Sequence, residues 1–150
     1  MFYIIHVLAG AIIAKFFPNL FVIIILSLLS HFLIDIIPHK DSLFDKRVFK
    51  KSYKIKITDK AVLFEIIKSI LTLLLIIYLQ IHFKSLLMLF AIFVSLLPDI
   101  VKIGHLTNLR NNKLFKKYML FHSRIQKDVS WKLEILIQLI VAIILIKILF

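Results

Sequence analysis

The chain contains no cysteine. Disulfides and thiolate metal sites are therefore excluded. Glycine is nearly absent, at two residues in 150, while 61% of the chain is hydrophobic. That composition excludes a disordered chain. The opening Met1-Phe2-Tyr3 lacks the basic n-region and the small-residue cleavage site of a signal peptide, so the first apolar run is expected to be retained. No apolar run alternates with polar residues as the strands of a membrane barrel would. What is there instead is Ile, Leu and Phe in long runs, more than a soluble domain of this size could hide. A net charge of +12 could point to nucleic acid. The basic residues, however, fall almost wholly between the apolar runs, which fits a membrane topology better.

Five apolar segments stand out: Phe2–Phe17, Pro18–Ile37, Ala61–Ile81, Ser85–Val101 and Leu133–Phe150. A span needs about 20 residues, so the first and fourth are short and would tilt or be partly sunk from one side. Tight turns at Phe17-Pro18-Asn19 and Gln80–Lys84 alternate with two long connections, His39–Lys60 and Lys102–Lys132. The long connections hold sixteen of the twenty Lys and Arg, eight in each; Lys15 and Lys84 lie at or beside the short turns. An odd number of crossings separates the two classes, so each class lies on one side. The positive-inside rule places the long loops and the N-terminus in the cytoplasm and Phe150 on the far side, where Lys147 can snorkel. Glu65 and Lys68 are spaced to pair on a helix. Within the second loop, Lys113–Trp131 interleaves Leu114, Phe115, Tyr118, Met119, Phe121 and Trp131 with Lys116, Lys117, Arg124 and Lys127. It reads as a basic amphipathic helix in an anionic interface, against the plainer reading of a solvated connector. The expected fold is all-α. Residues 1–150 form a single integral membrane domain, a polytopic bundle of about five helices plus an interfacial amphipathic helix.

Ionisable groups inside apolar spans are costly and usually functional. His31, Asp35 and His39 are four apart, and on a helix they share one face with a drift of about 40° per step. Such a set can hold a borderline cation such as zinc, or form a structural His–Asp hydrogen-bond pair. Pro38 disfavours helix at Ile37, so His39 is expected to reach the site from a turn. Leu97-Pro98-Asp99 echoes Ile37-Pro38-His39, and two such corners at one membrane face would bring His39 and Asp99 together. Asp99 could equally cap a loop or pair with Lys102. His6, followed by the small Ala9, Gly10 and Ala14, could be a ligand or a helix-packing residue; His122 is similarly open. The topology rests on Lys and Arg alone, yet His6, His31, Asp35, His39, Asp99 and His122 all fall in or near the cytoplasmic half. His82 falls on the opposite side and is excluded, and His105 reads as a loop histidine.

These residues also carry a resemblance. His6-Val7-Leu8-Ala9-Gly10, the Ser30–His39 stretch, Leu97-Pro98-Asp99 and Phe121-His122-Ser123-Arg124-Ile125-Gln126 resemble small prokaryotic membrane proteins described as metal-dependent hydrolases. The LexA-binding, inner-membrane-associated hydrolases belong to that set. The His-x3-Asp element is also similar to one in zinc-dependent phospholipase C, an all-helical phosphoesterase with a multi-zinc site. The resemblance covers most of the chain in order, through short motifs. It implies metal-activated hydrolysis of a phosphoester. His31, Asp35 and His39 match the ligand-like motif, Asp99 the acid after Leu-Pro, and His6 and His122 the early and late histidines. The phospholipases use more ligands, and this chain has no second clear His-x3-Asp/Glu.

The leading expectation is thus a hydrolase at the cytoplasmic face of a prokaryotic inner membrane. One or two divalent metals, zinc favoured, would be held by His31, Asp35, His39 and Asp99, with His6 and His122 as additional ligands or as residues that support them. Asp35 or Asp99 would serve as general base. Arg124 and Lys102 would neutralise phosphate oxygens of an anionic lipid or other phosphoester. The rival expectation is a non-catalytic membrane protein whose His/Asp cluster holds the helices together. A transporter would want polar residues through both halves of the bilayer, and the far half here is nearly all Ile, Leu and Phe. The partners expected are the bilayer and the substrate, with nucleic acid disfavoured. Five short helices make a thin bundle, which leaves room for a homodimer.

Overall fold

The computed structural model describes residues 3–39, 60–102, 112–127 and 129–150. These form six α-helices, with no strand among the described residues. The first basic loop beyond His39, and His105, lie outside the described residues.

α1 (Tyr3–Phe16) turns into α2 (Leu20–Asp35) at the expected Phe17-Pro18-Asn19. The Asn19 Oδ1 accepts from the amides of Phe21 and Val22 at 2.9 and 3.2 Å, which satisfies two donors at the start of α2. The helix was expected to bend or end near Ile37, and it stops at Asp35. Its last bonds tighten to Ile36 N–Leu33 O at 3.3 Å and Ile37 N–Ile34 O at 3.0 Å. Pro38 is the physical cause, because its ring disfavours helical backbone at the preceding residue.

α3 (Lys60–Phe83) and α4 (Leu86–Lys102) are joined through Lys84, whose φ of 48° is left-handed. The Ser85 hydroxyl then accepts from the Met88 amide at 3.2 Å. Pro98 lies inside α4 rather than at a corner, and the helix runs on to Lys102. The anticipated likeness between the Pro38 and Pro98 corners is therefore not found. Proline lacks the N–H that would bond the Val94 carbonyl, yet it is tolerated here one turn from the helix end. The amphipathic stretch folds as α5 (Lys113–Ile125), started by Asn112. It is shorter than Lys113–Trp131 because Ser130 starts α6 (Trp131–Leu149), and Trp131 belongs to that last helix.

The helix directions follow from side-chain contacts. The Tyr3 hydroxyl reaches Glu65 near the start of α3 at 3.1 Å, and Lys15 Nζ reaches the Leu149 carbonyl at the end of α6 at 2.6 Å. Phe150 packs its ring against Tyr78, His82 and Phe83 at the end of α3. So α1, α3 and α6 run in one direction. His6 meets Asp35 and Asp99, at the ends of α2 and α4, while Ile13 packs with Ile23 and Ala91 nearer their starts. Those two helices run the opposite way. α1 sits in the middle, with Ile5 to Ala11 buried without interruption, as a helix enclosed on all sides must be.

Outward, the bundle is apolar. α3 exposes Leu63, Ile66, Ile70, Leu73, Leu74 and Ile77, and α6 exposes Leu136, Leu139, Ile140, Ile143 and Ile144. Continuous apolar rows of this kind are rare on soluble monomers. Leu63–Phe83 is long and apolar enough to cross a membrane, with a mean hydropathy of 2.0, and α1 and α2 are apolar but shorter. α6 is comparably long but carries Lys132, Glu134 and Lys147.

Candidate metal centre

At the end of the bundle where α1 begins and α2 and α4 end, four imidazoles and two carboxylates converge. α2 contributes His31 and Asp35 one turn apart, with His31 Nε2 at 3.4 Å from Asp35 Oδ2. α5 swings His122 in from the side, its Nε2 at 3.0 Å from the same Oδ2 and 3.3 Å from His31 Nε2. α4 brings Asp99, with Oδ1 at 4.0 Å from His31 Nε2. One ligand atom from each of His31, Asp35, Asp99 and His122 fits within 4.8 Å of the others. α1 adds His6, whose Nε2 lies 3.4 Å from Asp35 Oδ1 and 3.8 Å from Asp99 Oδ2. His39 arrives from the turn after Pro38, as expected, with Nε2 at 4.0 Å from Asp35 Oδ1. Every residue anticipated as a metal ligand is therefore in this one cluster.

The surroundings orient the rings. His31 Nδ1 donates to the Ser95 carbonyl at 2.7 Å, and His39 Nδ1 donates to the Ile37 carbonyl at 2.8 Å. A carbonyl can only accept, so the proton of each neutral ring sits on Nδ1 and the Nε2 lone pair faces the carboxylates. Metal-binding histidines are commonly set up this way, with the far nitrogen tied to a backbone oxygen. His39 is itself held by its amide, which donates to the Lys127 carbonyl at 3.0 Å.

Ser95 does two further things. Its hydroxyl donates to the His6 carbonyl at 2.8 Å and also meets the Ile92 carbonyl. α1 and α4 approach closely enough for this because Gly10 faces α4. A Cβ on Gly10 would come within 2.9 Å of the Ala91 carbonyl oxygen, the Ile92 Cα and the Ser95 Oγ. The Tyr118 hydroxyl donates to the Pro98 carbonyl at 2.6 Å and pins α5 across α4. Burial pushes the Tyr118 phenol up to about 12, so it remains a donor through neutral pH. None of Ser95, Gly10 or Tyr118 was expected as part of the site. Gly10 was noted only as a small residue that allows close packing.

The pattern of contacts has a chemical meaning. Asp35 Oδ2 and both nitrogens of His6 are buried with no well-formed hydrogen bond among the described residues. The Nε2 lone pairs of neutral His31 and His39 face Asp35 oxygens at 3.4 and 4.0 Å, which is unfavourable unless a cation or a proton lies between them. Ligand atoms bonded tetrahedrally to one ion at about 2.0–2.1 Å stand about 3.3 Å apart. The separations of 3.0, 3.3 and 3.4 Å among His31, Asp35 and His122 match that spacing. The donor set, imidazole nitrogen and carboxylate oxygen, suits a borderline divalent cation.

Of the two basic residues expected near phosphate, the structure brings in only one. Lys102 is buried, with Nζ at 2.6 Å from Asp99 Oδ1, so the pairing left open for Asp99 is present. Arg124 is exposed on α5, about 200° round the helix from His122, and is not brought to the cluster. His82 lies at the opposite end of the bundle among Tyr78, Phe83 and Phe150, in keeping with its exclusion. Glu65 and Lys68 pair as their spacing predicted, at 2.5 Å, and are buried against α1.

No protein-family description, curated protein or solved structure matches the chain.

Proposed function

We propose that the protein is a polytopic membrane hydrolase that cleaves phosphoesters at a divalent-metal centre on the cytoplasmic face. The observation that carries this reading is the convergence of His31 Nε2, Asp35 Oδ2, Asp99 Oδ1 and His122 Nε2 within 4.8 Å of one another. The motif resemblance to prokaryotic membrane-bound metal-dependent hydrolases supports it. A divalent cation bound there, zinc being the favoured one, would supply Lewis acidity and a water of lowered pKa. His31, Asp35 and His122 are the closest-set trio and would hold the cation, in keeping with the three protein ligands usual in catalytic sites. Asp99 is the most exposed of the acids, with 12% of its side chain accessible, so its Oδ1 is placed to take a proton from incoming water. Lys102 Nζ beside that oxygen neutralises charge on a phosphoryl group. Arg124, on the outer face of α5, serves as a headgroup contact at the leaflet surface.

The membrane setting rests on the apolar rows of α3 and α6 and on the Leu63–Phe83 span. α1 and α2, with 14 and 16 residues, are about 21 and 24 Å long. The hydrocarbon core is about 30 Å thick. A polar site at headgroup depth shortens the distance these helices must cover, and modest thinning supplies the rest. The test is hydrolysis of water-soluble and lipid-linked phosphomonoesters and diesters by purified, zinc-loaded protein. Turnover lost in His31→Ala and Asp35→Ala is expected. Equal turnover in wild type and both variants would refute the assignment.

A second reading, a structural His/Asp cluster, is favoured by one observation: Lys102 already neutralises Asp99, and the cluster ties α1, α2, α4 and α5 together. On that reading Asp35→Asn lowers the melting temperature and changes no turnover.

A further inference from the structure

α5 carries two different chemistries on opposite faces. Phe115, Met119 and His122 are buried and fall within about 60° of one another round the helix. Lys113, Lys117 and Arg124 are exposed and lie about 180–220° round from His122. Lys116 is exposed beside that row. Lys113–Ile125 contains no acid, and among the described residues none of these four cations forms an ion pair. Like charges three and four residues apart, as in Lys113, Lys116 and Lys117, repel one another on a helix. An anionic partner outside the protein is what such a row suits.

One flank between the two faces is apolar and fixes where that partner lies. Leu114 and Phe121 are 74% and 53% exposed, and the Phe121 ring meets the Phe32 ring of α2 at 5.7 Å. On α2, Leu29, Leu33 and Ile36 face outward around Phe32. The exposed flank of α5 is thus continuous with the apolar exterior of α2, close to where α2 ends at Asp35. In the membrane setting proposed above, that level is the headgroup region, where Lys and Arg meet anionic lipid.

We propose that Lys113, Lys116, Lys117 and Arg124 bind the anionic headgroups of the surrounding leaflet, and that this binding raises the metal affinity of the centre by holding α5, and with it His122, against Asp35. The proposal rests on the metal-centre reading above and adds a regulator to it. α5 is the element that the two sites share. The approach of His122 Nε2 to Asp35 Oδ2 at 3.0 Å and the packing of Phe121 on Phe32 belong to the same docked position. Two ligands that favour one state of a shared element strengthen each other's binding by the same factor. A leaflet rich in anionic lipid therefore loads the centre, and a neutral one leaves it weaker.

The test uses the full chain in nanodiscs of phosphatidylcholine alone and of a phosphatidylcholine–phosphatidylglycerol mixture. Zn2+ affinity is measured by competition with a chromophoric chelator, with empty discs of each composition as blanks. The gain in affinity from the neutral to the mixed bilayer should be about fivefold or more greater in wild type than in a Lys113→Gln/Lys116→Gln/Lys117→Gln variant. That comparison removes the Zn2+ that any anionic surface gathers, and it removes the effect of a phosphatidylglycerol molecule bound at the centre as substrate, since both act equally in the variant. In the neutral bilayer the two proteins should bind Zn2+ alike, because the three lysines lie on the face away from the centre. A second readout needs no variant: amide exchange across 113–125 in metal-free wild type should be slower in the mixed bilayer. The same gain in wild type and variant, or exchange in α5 that ignores phosphatidylglycerol, overturns the lipid control and leaves the metal centre in place. Failure of wild type to bind Zn2+ in either bilayer overturns the metal centre and the lipid control with it.

Discussion

At the scale of single residues, the centre depends on a glycine that binds nothing. Gly10 lets α1 lie against α4 with Ser95 bonded to the His6 carbonyl, and Ser95 in turn offers its own carbonyl to His31. Two of the three atoms that a Cβ at position 10 would strike belong to the backbone, so neither can rotate away. Gly10→Ala should therefore cost about 1–3 kcal/mol, as overpacking of a tight interior typically does. A fall in melting temperature in detergent, together with weaker metal retention, is the expected outcome. An unchanged melting temperature would mean that the helices are not so close. The residues that give the site its chemistry were legible in the sequence, because Asp35 in an apolar run demands a partner and His31 stands one turn away. Ser95 and Gly10 were not, because they act through backbone atoms and through the absence of a side chain. Neither leaves a mark on a pattern of polar and apolar letters.

At the scale of helices, α5 is the element that closes the site. Its inner face presents Phe115, Met119 and His122, all buried, and its outer face presents Leu114, Lys116, Lys117, Leu120, Phe121 and Arg124. Its described polar anchors are few: Tyr118 to the Pro98 carbonyl and His122 to Asp35 and His31, with the Lys127 carbonyl just beyond taking the His39 amide. Since one of those anchors, His122, is a proposed metal ligand, a bound cation should hold α5 more firmly. Amide hydrogen exchange in 113–125 is predicted to slow on addition of Zn2+, and the effect should vanish in His122→Ala while exchange in α1 is little altered. Equal slowing in wild type and His122→Ala would show that α5 is not held through the metal. The amphipathic character of this stretch was readable from interleaved aromatic and basic residues. Its length was misjudged because Trp131 fits the same pattern, and only the Ser130 cap assigns it to α6. Pro98 misled in the same way: a proline near a helix end reads as a corner, yet here the helix continues to Lys102.

At the scale of the whole molecule, the helix directions set a topology that can be checked from both sides. α1, α3 and α6 run one way, α2 and α4 the other, and the site residues all gather at one end. Lys15, Lys84 and Phe150 belong to the opposite end. The chain has no cysteine, so a single introduced thiol reports its own location without background. Lys84→Cys should react with a membrane-impermeant maleimide in intact spheroplasts, and Lys116→Cys should react only after permeabilisation. Labelling of both in intact spheroplasts, or the reverse pattern, would contradict the cytoplasmic placement of the site. The alternation of apolar segments, tight turns and long loops made the opposed helix directions readable from the sequence. What it could not supply is the distance between helices, on which the splitting of Asp35 between two pairs of histidines depends.

The central claim is that buried His and Asp side chains converge because a cation belongs among them. The most direct measurement is the zinc content of wild type and Asp35→Ala, each purified from membranes without added chelator and shown to be folded. Wild type carrying at least one equivalent, with Asp35→Ala reduced to a small fraction of that, is the predicted result. A folded wild type that carries no metal and takes up none, or an Asp35→Ala variant that keeps the full wild-type content, would contradict the account.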